Sequence, residues 1–269
     1  MSAQPLPFAA ELAVAVRAAE QAGRLISEAW GRGAVVHFKG EVDLVTDTDR
    51  AAERAIVSAL GAAFPADAIR AEEGGGHAGG PRTWHVDPLD GTTNFSHGFP
   101  HFAVSIGLAD AEGPAVGVVH DPLRCWSFTA TRGGGAWLQG RRLEVSTVTD
   151  LNAALTATGF PYDRRTARDN NVHRLEAVLR VAQGVRRAGA AALDLAYVAA
   201  GWLDAYWERQ LSSWDIAAGA LLVSEAGGLC SARDGGTLDL HAGSVVATNG
   251  ALHDALRAVL DAADQDFSG

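Results

Sequence analysis

The sequence predicts a layered α/β protein. Three observations carry this. Apolar residues recur at helical spacing near both ends of the chain. A run of short strands separated by turn residues fills the later part of the first half. Helices and strands then mix in the second half without the regular alternation of a simple doubly wound sheet. The chain has 269 residues, more than the usual about 100–200 of one domain. One large domain made of two close-packed subdomains, about residues 1–150 and 151–269, is expected.

The elements follow in order. From Phe8 to Trp30 the positions Leu12, Val16, Ala19, Ala22, Ile26 and Trp30 form an apolar helical stripe, closed by Gly31 and Gly33. Val35 to Val45 reads as an extended hairpin around Gly40. Thr48 to Gly61 reads as a second helix, stopped by Pro65, and Ala68–Ala71 as a short strand. Trp84–Val86 is a strand, and Phe102–Leu108, Ala115–His120, Trp126–Ala130 and Ala136–Leu138 form an antiparallel meander. Beyond these come a strand at Ala154–Thr158, a helix over Asn170–Val181, a strand at Val185–Ala188 and a helix over Ala191–Gly201. Asp204–Glu208 is a strand, Ile216–Ala226 a helix closed by Gly227 and Gly228, Val245–Thr248 a strand and Leu252–Ala262 a last helix. The tail after Asp264 is expected to fray.

Hydrophobic residues make up 48% of the chain, enough for a large core, and the net charge is −10. An acidic protein of this kind is a poor non-specific nucleic-acid binder. The basic pairs Arg164-Arg165 and Arg186-Arg187 read as solvated surface, and no extended basic groove suggests a nuclease or polymerase. Cys125 and Cys230 are the only cysteines, too few for a disulfide framework or a zinc pattern. The nine histidines show no metal-ligand spacing. The N-terminal Met-Ser-Ala-Gln-Pro-Leu-Pro lacks a basic region followed by an apolar core, and no run is long enough to cross a membrane. A soluble, cytoplasmic protein is expected.

The chemistry concentrates in Trp84-His85-Val86-Asp87-Pro88-Leu89-Asp90-Gly91-Thr92-Thr93-Asn94-Phe95. An apolar strand delivers two carboxylates three residues apart. Pro88 stiffens the link, and Gly91 permits close backbone approach. Two acids so placed repel each other unless a proton or a cation sits between them. Oxygen-only ligands suit a hard ion such as magnesium. Thr92-Thr93-Asn94 could open a helical turn whose N–H groups face the same spot. Taken alone, Asp-Pro and Asp-Gly are also ordinary turn dipeptides. Likewise Glu72-Glu73 alone fits a solvated loop, and Asp215 alone fits a helix N-cap.

Taken together, Asp43-Leu-Val-Thr46-Asp47-Thr-Asp49, Ala71-Glu72-Glu73-Gly74, Trp84–Phe95, and Trp214-Asp215 followed by Glu225-Ala-Gly-Gly228 resemble the successive signatures of the inositol monophosphatase family. The resemblance runs from about Phe8 to Leu260, nearly the whole chain. It implies a five-layer αβαβα fold, two or three magnesium ions and hydrolysis of a small phosphate monoester, inositol monophosphate foremost. It places Glu72, Asp87, Asp90, Asp215 and the carbonyl of Leu89 on metal. It gives Thr92 the attacking water, with Asp49 as hydrogen-bond partner, and gives Glu73 no metal role. Substrate contacts are implied for Gly91, Thr92, Gly189, Ala190, Ala191 and Glu208. Glu208 would accept hydrogen bonds from polyol hydroxyls and disfavour a second phosphate nearby. A homodimer is implied as well.

Gly91-Thr92-Thr93-Asn94-Phe95 resembles the inositol monophosphatase branch more than those acting on histidinol phosphate or adenosine 3′,5′-bisphosphate, which often carry lysine where Thr93 stands. Fructose 1,6-bisphosphate is a further family substrate, and a non-catalytic regulatory protein on the same fold is the alternative of a different class. Against the latter, each expected metal position holds the expected acid.

Overall fold

The computed structural model describes residues 6–30, 36–38 and 44–268. Gly31, Gly33, Val35, Gly40 and Asp43 lie outside the described residues. The first half contains α1 (Ala9–Trp30), β1 (Val36–Phe38), β2 (Leu44–Thr46), α2 (Asp47–Ala63), β3 (Ala68–Ala71) and β4 (Thr83–Asp90). It continues with α3 (Thr92–Ser96), β5 (Ala103–Asp110), β6 (Gly113–Asp121), β7 (Trp126–Thr131), β8 (Gly135–Leu138) and β9 (Arg141–Arg142). The second half contains β10 (Leu155–Thr158), α4 (Val172–Leu179), β11 (Gly184–Arg186), α5 (Ala191–Ala199) and β12 (Ala205–Arg209). Then come α6 (Ser213–Glu225), β13 (Leu229–Ser231), β14 (Ser244–Thr248) and α7 (His253–Ser268).

A seven-stranded sheet runs β3-β4-β5-β6-β7-β8-β9. Only its first pair is parallel; the rest is the expected meander. A five-stranded sheet runs β11-β10-β12-β14-β13, with β10 parallel to both β11 and β12. The hairpin expected near Val35–Val45 is the antiparallel pair of β1 and β2.

Helices α1 and α2 cover the outer face of the larger sheet, α5 and α6 lie between the sheets, and α4 and α7 cover the far face of the smaller one. This is the αβαβα layering. On α1 the buried stripe is Ala15, Ala18, Ala19, Ala22, Gly23 and Ile26, small residues at helical spacing that let α1 lie close to α2. The central α6 is apolar almost all round, as a helix enclosed by two sheets must be. It lies flush on the larger sheet because Gly107 and Gly117 pair across β5 and β6 beneath it. A Cβ on either would come within 2.7 Å of Ala217 or Ala218, so α6, which carries Asp215 in its first turn, has one available depth.

Two readings of the sequence need correction. The tail does not fray after Asp264, because α7 continues to Ser268. Phe267 stacks on His173 at 4.1 Å, and Arg168 donates to the Phe267 carbonyl, so the last turn has partners. Helix α4 is also shorter than expected, since Asn171 adopts a left-handed conformation at its N-cap. Among the described residues, no helix is long and apolar enough to cross a membrane.

Candidate active site

Strand β4 ends in the acidic motif. In a regular strand, residues three apart point to opposite faces. Here Asp87 pairs with Ser105 and Asp90 with Ala103, so β4 spends one more residue than β5 over this stretch. Pro88 has no N–H to give the ladder, and the extra residue reverses the parity of the strand. Both carboxylates therefore reach one cavity. Asp87 is fixed by the Leu89 N–H, which donates to its Oδ1 at 2.9 Å. Glu72 follows the parallel neighbour β3, and its N–H donates to the Val86 carbonyl, extending the pairing toward the same cavity. The loop beyond it is held by buried Glu53, which accepts from the N–H groups of Glu73 and Gly75 at 2.6 and 2.8 Å.

Gly91 adopts φ 93°, and a Cβ there would stand 3.1 Å from the His101 carbonyl oxygen. Only glycine turns the chain this tightly. The turn brings the Thr92 hydroxyl to 3.0 Å from the Leu89 carbonyl and 3.1 Å from Asp49 Oδ1. Asp49 is fully buried in the first turn of α2. Asn94 ties α3 to the second half, donating to the carbonyls of His101 at 2.7 Å and Ala188 at 2.9 Å.

The second half supplies the remaining wall. Asp90 accepts from the N–H groups of Ala191 (3.2 Å) and Ala192 (2.8 Å), so it caps α5 across the two halves. Gly189, Ala190 and Ala191 all line the cavity, with the Ala191 N–H already committed to Asp90. Asp215 lies in the first turn of α6, beyond the N-cap Ser212. It accepts from the Ser212 N–H at 2.7 Å and lines the same cavity. His85 bonds the hydroxyl of Ser213 at 2.8 Å, and Ser105 donates to the Trp214 carbonyl, fixing the head of α6 against the larger sheet.

Farther along the cavity, Glu208 accepts a hydrogen bond from Tyr206. A Cβ at Gly159 would collide with the Glu208 carboxylate, so Gly159 makes its room. Asp194 lies beside it on α5, 2% exposed, and no hydrogen-bond or ion-pair partner for its carboxylate occurs among the described residues. The cavity measures about 720 Å³, a size suited to a small-molecule ligand.

The electrostatics follow from burying so many acids together. Burial, then repulsion from Glu72, Asp90 and Asp215, pushes Asp87 well above the usual carboxylate range. Burial and the charge of Asp90 do the same to Asp215. Asp90 is pushed up to about 6 by burial, held back by the α5 N–H groups. Burial pushes Glu208 up to about 7, and burial with the nearby Glu208 charge pushes Asp194 well up. Such a cluster calls for added positive charge. Among the described residues, no group of three or more histidine, cysteine, aspartate or glutamate side chains stands in an arrangement that would hold a metal ion. The acids line a shared cavity.

The sequence reading missed Asp194, Asn94, Glu53, Gly159 and the placement of three arginines. Asn94 stood inside the quoted motif. A lone Asp in an apolar helix was the available signal for Asp194. Glu73 is absent from the cavity lining, and its N–H serves the loop. Arg164, Arg165 and Arg187 were read as solvated surface; Arg165 and Arg187 are indeed exposed, and all three also line this cavity.

The sequence profile of the inositol monophosphatase family matches residues 9–265. The inositol-1-monophosphatase of Synechocystis sp. is 46% identical over 259 residues, covering 95% of this chain and 90% of that protein. The Nus factor SuhB of Pseudomonas aeruginosa is 51% identical over 251 residues, covering 88% of this chain and 91% of its own. The solved inositol monophosphatase of Anabaena (Nostoc) sp. superposes with TM-score 0.87 at 40% identity, over 94% of this chain and 96% of that one. The chain belongs to the inositol monophosphatase family and is a phosphoric monoester hydrolase.

Proposed function

We propose magnesium-dependent hydrolysis of a small polyol phosphate monoester, with inositol monophosphate as the first candidate substrate. One observation carries the reading: four carboxylates, from β4, α6 and the residue after β3, line a cavity that Thr92 also lines, with Asp49 bonded to its hydroxyl. The donor set fits magnesium. Glu72, Asp87, Asp90 and Asp215 offer only oxygen, the Leu89 carbonyl adds another, and no thiol or imidazole is in the proposed set. The repulsion among the acids, and the raised pKa values of Asp87, Asp90 and Asp215, are relieved by a divalent cation. Magnesium bound there would supply the charge that activates water and offsets the phosphate.

The residues of this chain then act as follows. Thr92 has one hydroxyl proton, directed to Asp49 Oδ1 or to the Leu89 carbonyl. Its oxygen lone pairs remain to accept a hydrogen bond from a water in the cavity, which orients that water toward the phosphorus. Asp49, buried behind Thr92, fixes this polarity. Gly91 and the Gly189–Ala191 backbone shape the wall beside the phosphate. Glu208 accepts hydrogen bonds from hydroxyls of the polyol. A homodimer accompanies the reading by resemblance to the family, and the small number of cysteines accords with a cytoplasmic location.

A second reading rests on a relative: the 51% identical protein from Pseudomonas aeruginosa is named a Nus factor. A transcription-related role on the same fold is compatible with a working site. The test is a phosphate-release panel of inositol 1-phosphate, fructose 1,6-bisphosphate, histidinol phosphate and adenosine 3′,5′-bisphosphate, each with magnesium. Magnesium-dependent phosphate release from inositol 1-phosphate is the expected result. Absence of phosphate release from every ester would leave only the regulatory reading.

A further inference from the structure

We propose that Arg164, Arg165 and Arg187 form a second anion subsite in the active-site cavity, selecting polyol phosphates whose far end carries another negative group. The proposal rests on the phosphatase reading above and extends it to substrate class.

The topology brings the three together. Strands β10 and β11 are parallel neighbours, in register at Ala157 and Arg186. Their C-terminal ends therefore emerge on the same side, the usual place for ligands at parallel strands. The chain beyond β10 carries Arg164 and Arg165, and Arg187 follows β11 directly. All three line the cavity that holds Asp87 and Asp215.

None of the three forms an ion pair with a carboxylate among the described residues. Elsewhere, Arg82, Arg132, Arg174 and Arg233 are each spent on acids at 2.5–2.9 Å. Arg187 instead lies over the Phe160 ring, 5.9 Å from its centroid, and its N–H donors have no hydrogen-bond partner among the described residues. Arg164 reaches only the Pro161 carbonyl of its own loop, at 3.4 Å.

A simpler role for Arg187 is countercharge to the acids, since it lowers the pKa of Asp90, Asp194 and Glu208. That role does not account for Arg164 and Arg165, which are not among the groups shifting those acids. Arg165 and Arg187 are exposed, Arg164 is half-buried, and all three line one cavity, so their N–H donors are open to an anion that enters it. Guanidinium binds carboxylate and phosphate in two-pronged fashion. The repulsion that Glu208 alone would offer a second phosphate is thus offset from the same cavity.

The test compares three esters alike except at the far carbon: sorbitol 6-phosphate (neutral), 6-phosphogluconate (carboxylate) and sorbitol 1,6-bisphosphate (phosphate). In the wild type, kcat/KM is expected to rise about tenfold or more from the neutral to the anionic ends, and the rise to shrink with added salt. The two anionic esters separate a carboxylate from a phosphate preference. In Arg164→Ala/Arg165→Ala and in Arg187→Ala the anionic-to-neutral ratio is expected to fall to about twofold or less, with lysine at the same positions restoring part of it. A wild-type ratio near one, or a ratio unmoved by the double substitution, overturns the subsite while leaving the phosphatase reading intact. If no ester is hydrolysed, the phosphatase reading fails by itself. The ratio of calorimetric Kd values for sorbitol 1,6-bisphosphate and sorbitol 6-phosphate, in wild type and variant, then decides the subsite by the same criterion.

Discussion

The two ends of the cavity are built differently. At the end proposed to take the phosphate, three of the four acids are pinned by main chain: Asp87 by the Leu89 N–H, Asp90 by Ala191 and Ala192, and Asp215 by Ser212. At the far end, Glu208 is held by a tyrosine side chain, Asp194 has no partner among the described residues, and the arginines sit on connecting segments. Chemistry is anchored to backbone and recognition to side chains. The contrast implies that substitutions at the first end reduce turnover of every substrate, whereas those at the second change the ratio between substrates.

The largest effect is expected at Asp90. Asp90→Asn should lower kcat by about 10³-fold or more, the scale of several kcal/mol of charge stabilisation. Asparagine has one acceptor oxygen where aspartate has two, so one N–H of α5 loses its cap. A kcat within about tenfold of wild type would remove Asp90 from the phosphate end.

Next comes the water-orienting pair. Thr92→Ala should cut kcat by about 10²–10⁴-fold with little change in KM, and Asp49→Asn should behave similarly. Because the two share one hydrogen bond, the double variant should lose far less than the product of the single losses. Multiplicative losses would mean that they act separately.

Glu208→Leu should reduce the kcat/KM of inositol 1-phosphate by about one to two decades, while an aryl phosphate, which has no hydroxyl to place there, changes little. An equal fall for both would move Glu208 to the phosphate end and erase the contrast.

The smallest effect concerns stability against pH. The folded-state pKa values of Glu208 (about 7) and Asp90 (about 6) are raised above 4.5 and 3.8. A raised carboxylate stabilises the fold in its protonated form. That stability is complete below the unfolded pKa and is lost as pH rises through the folded one. Burial lowers the pKa values of His85, His101, His120 and His253, which works in the opposite direction over the same window. The carboxylate part is isolated by comparison with Glu208→Gln: the Tm of the metal-free wild type, relative to that of the variant, should fall as pH goes from about 4.5 to about 7. A wild-type Tm that rises relative to the variant's across this window would contradict the buried charge.

The same contrast decides what the sequence discloses. Asp49, Glu72, Asp87, Asp90, Thr92 and Asp215 sit in short local motifs, because strand ends, a proline bulge and helix starts are local events. The meander, α1 and α6 were legible from apolar spacing for the same reason. Asp194, Gly159 and the three arginines acquire meaning only when β10, β11, β12 and α5 meet, a long-range event that leaves no local pattern. Glu53 was hidden inside an ordinary polar helix face. The length of α7 was misjudged because the Phe267–His173 stack joins residues far apart in the chain.

The central claim is that these carboxylates serve hydrolysis by holding a divalent cation. Phosphate release from inositol 1-phosphate, followed as magnesium is titrated into metal-free enzyme and then removed with excess chelator, tests it most directly. The account predicts no turnover without the ion, saturable activation with it, and loss on chelation. Full activity in excess chelator would contradict it.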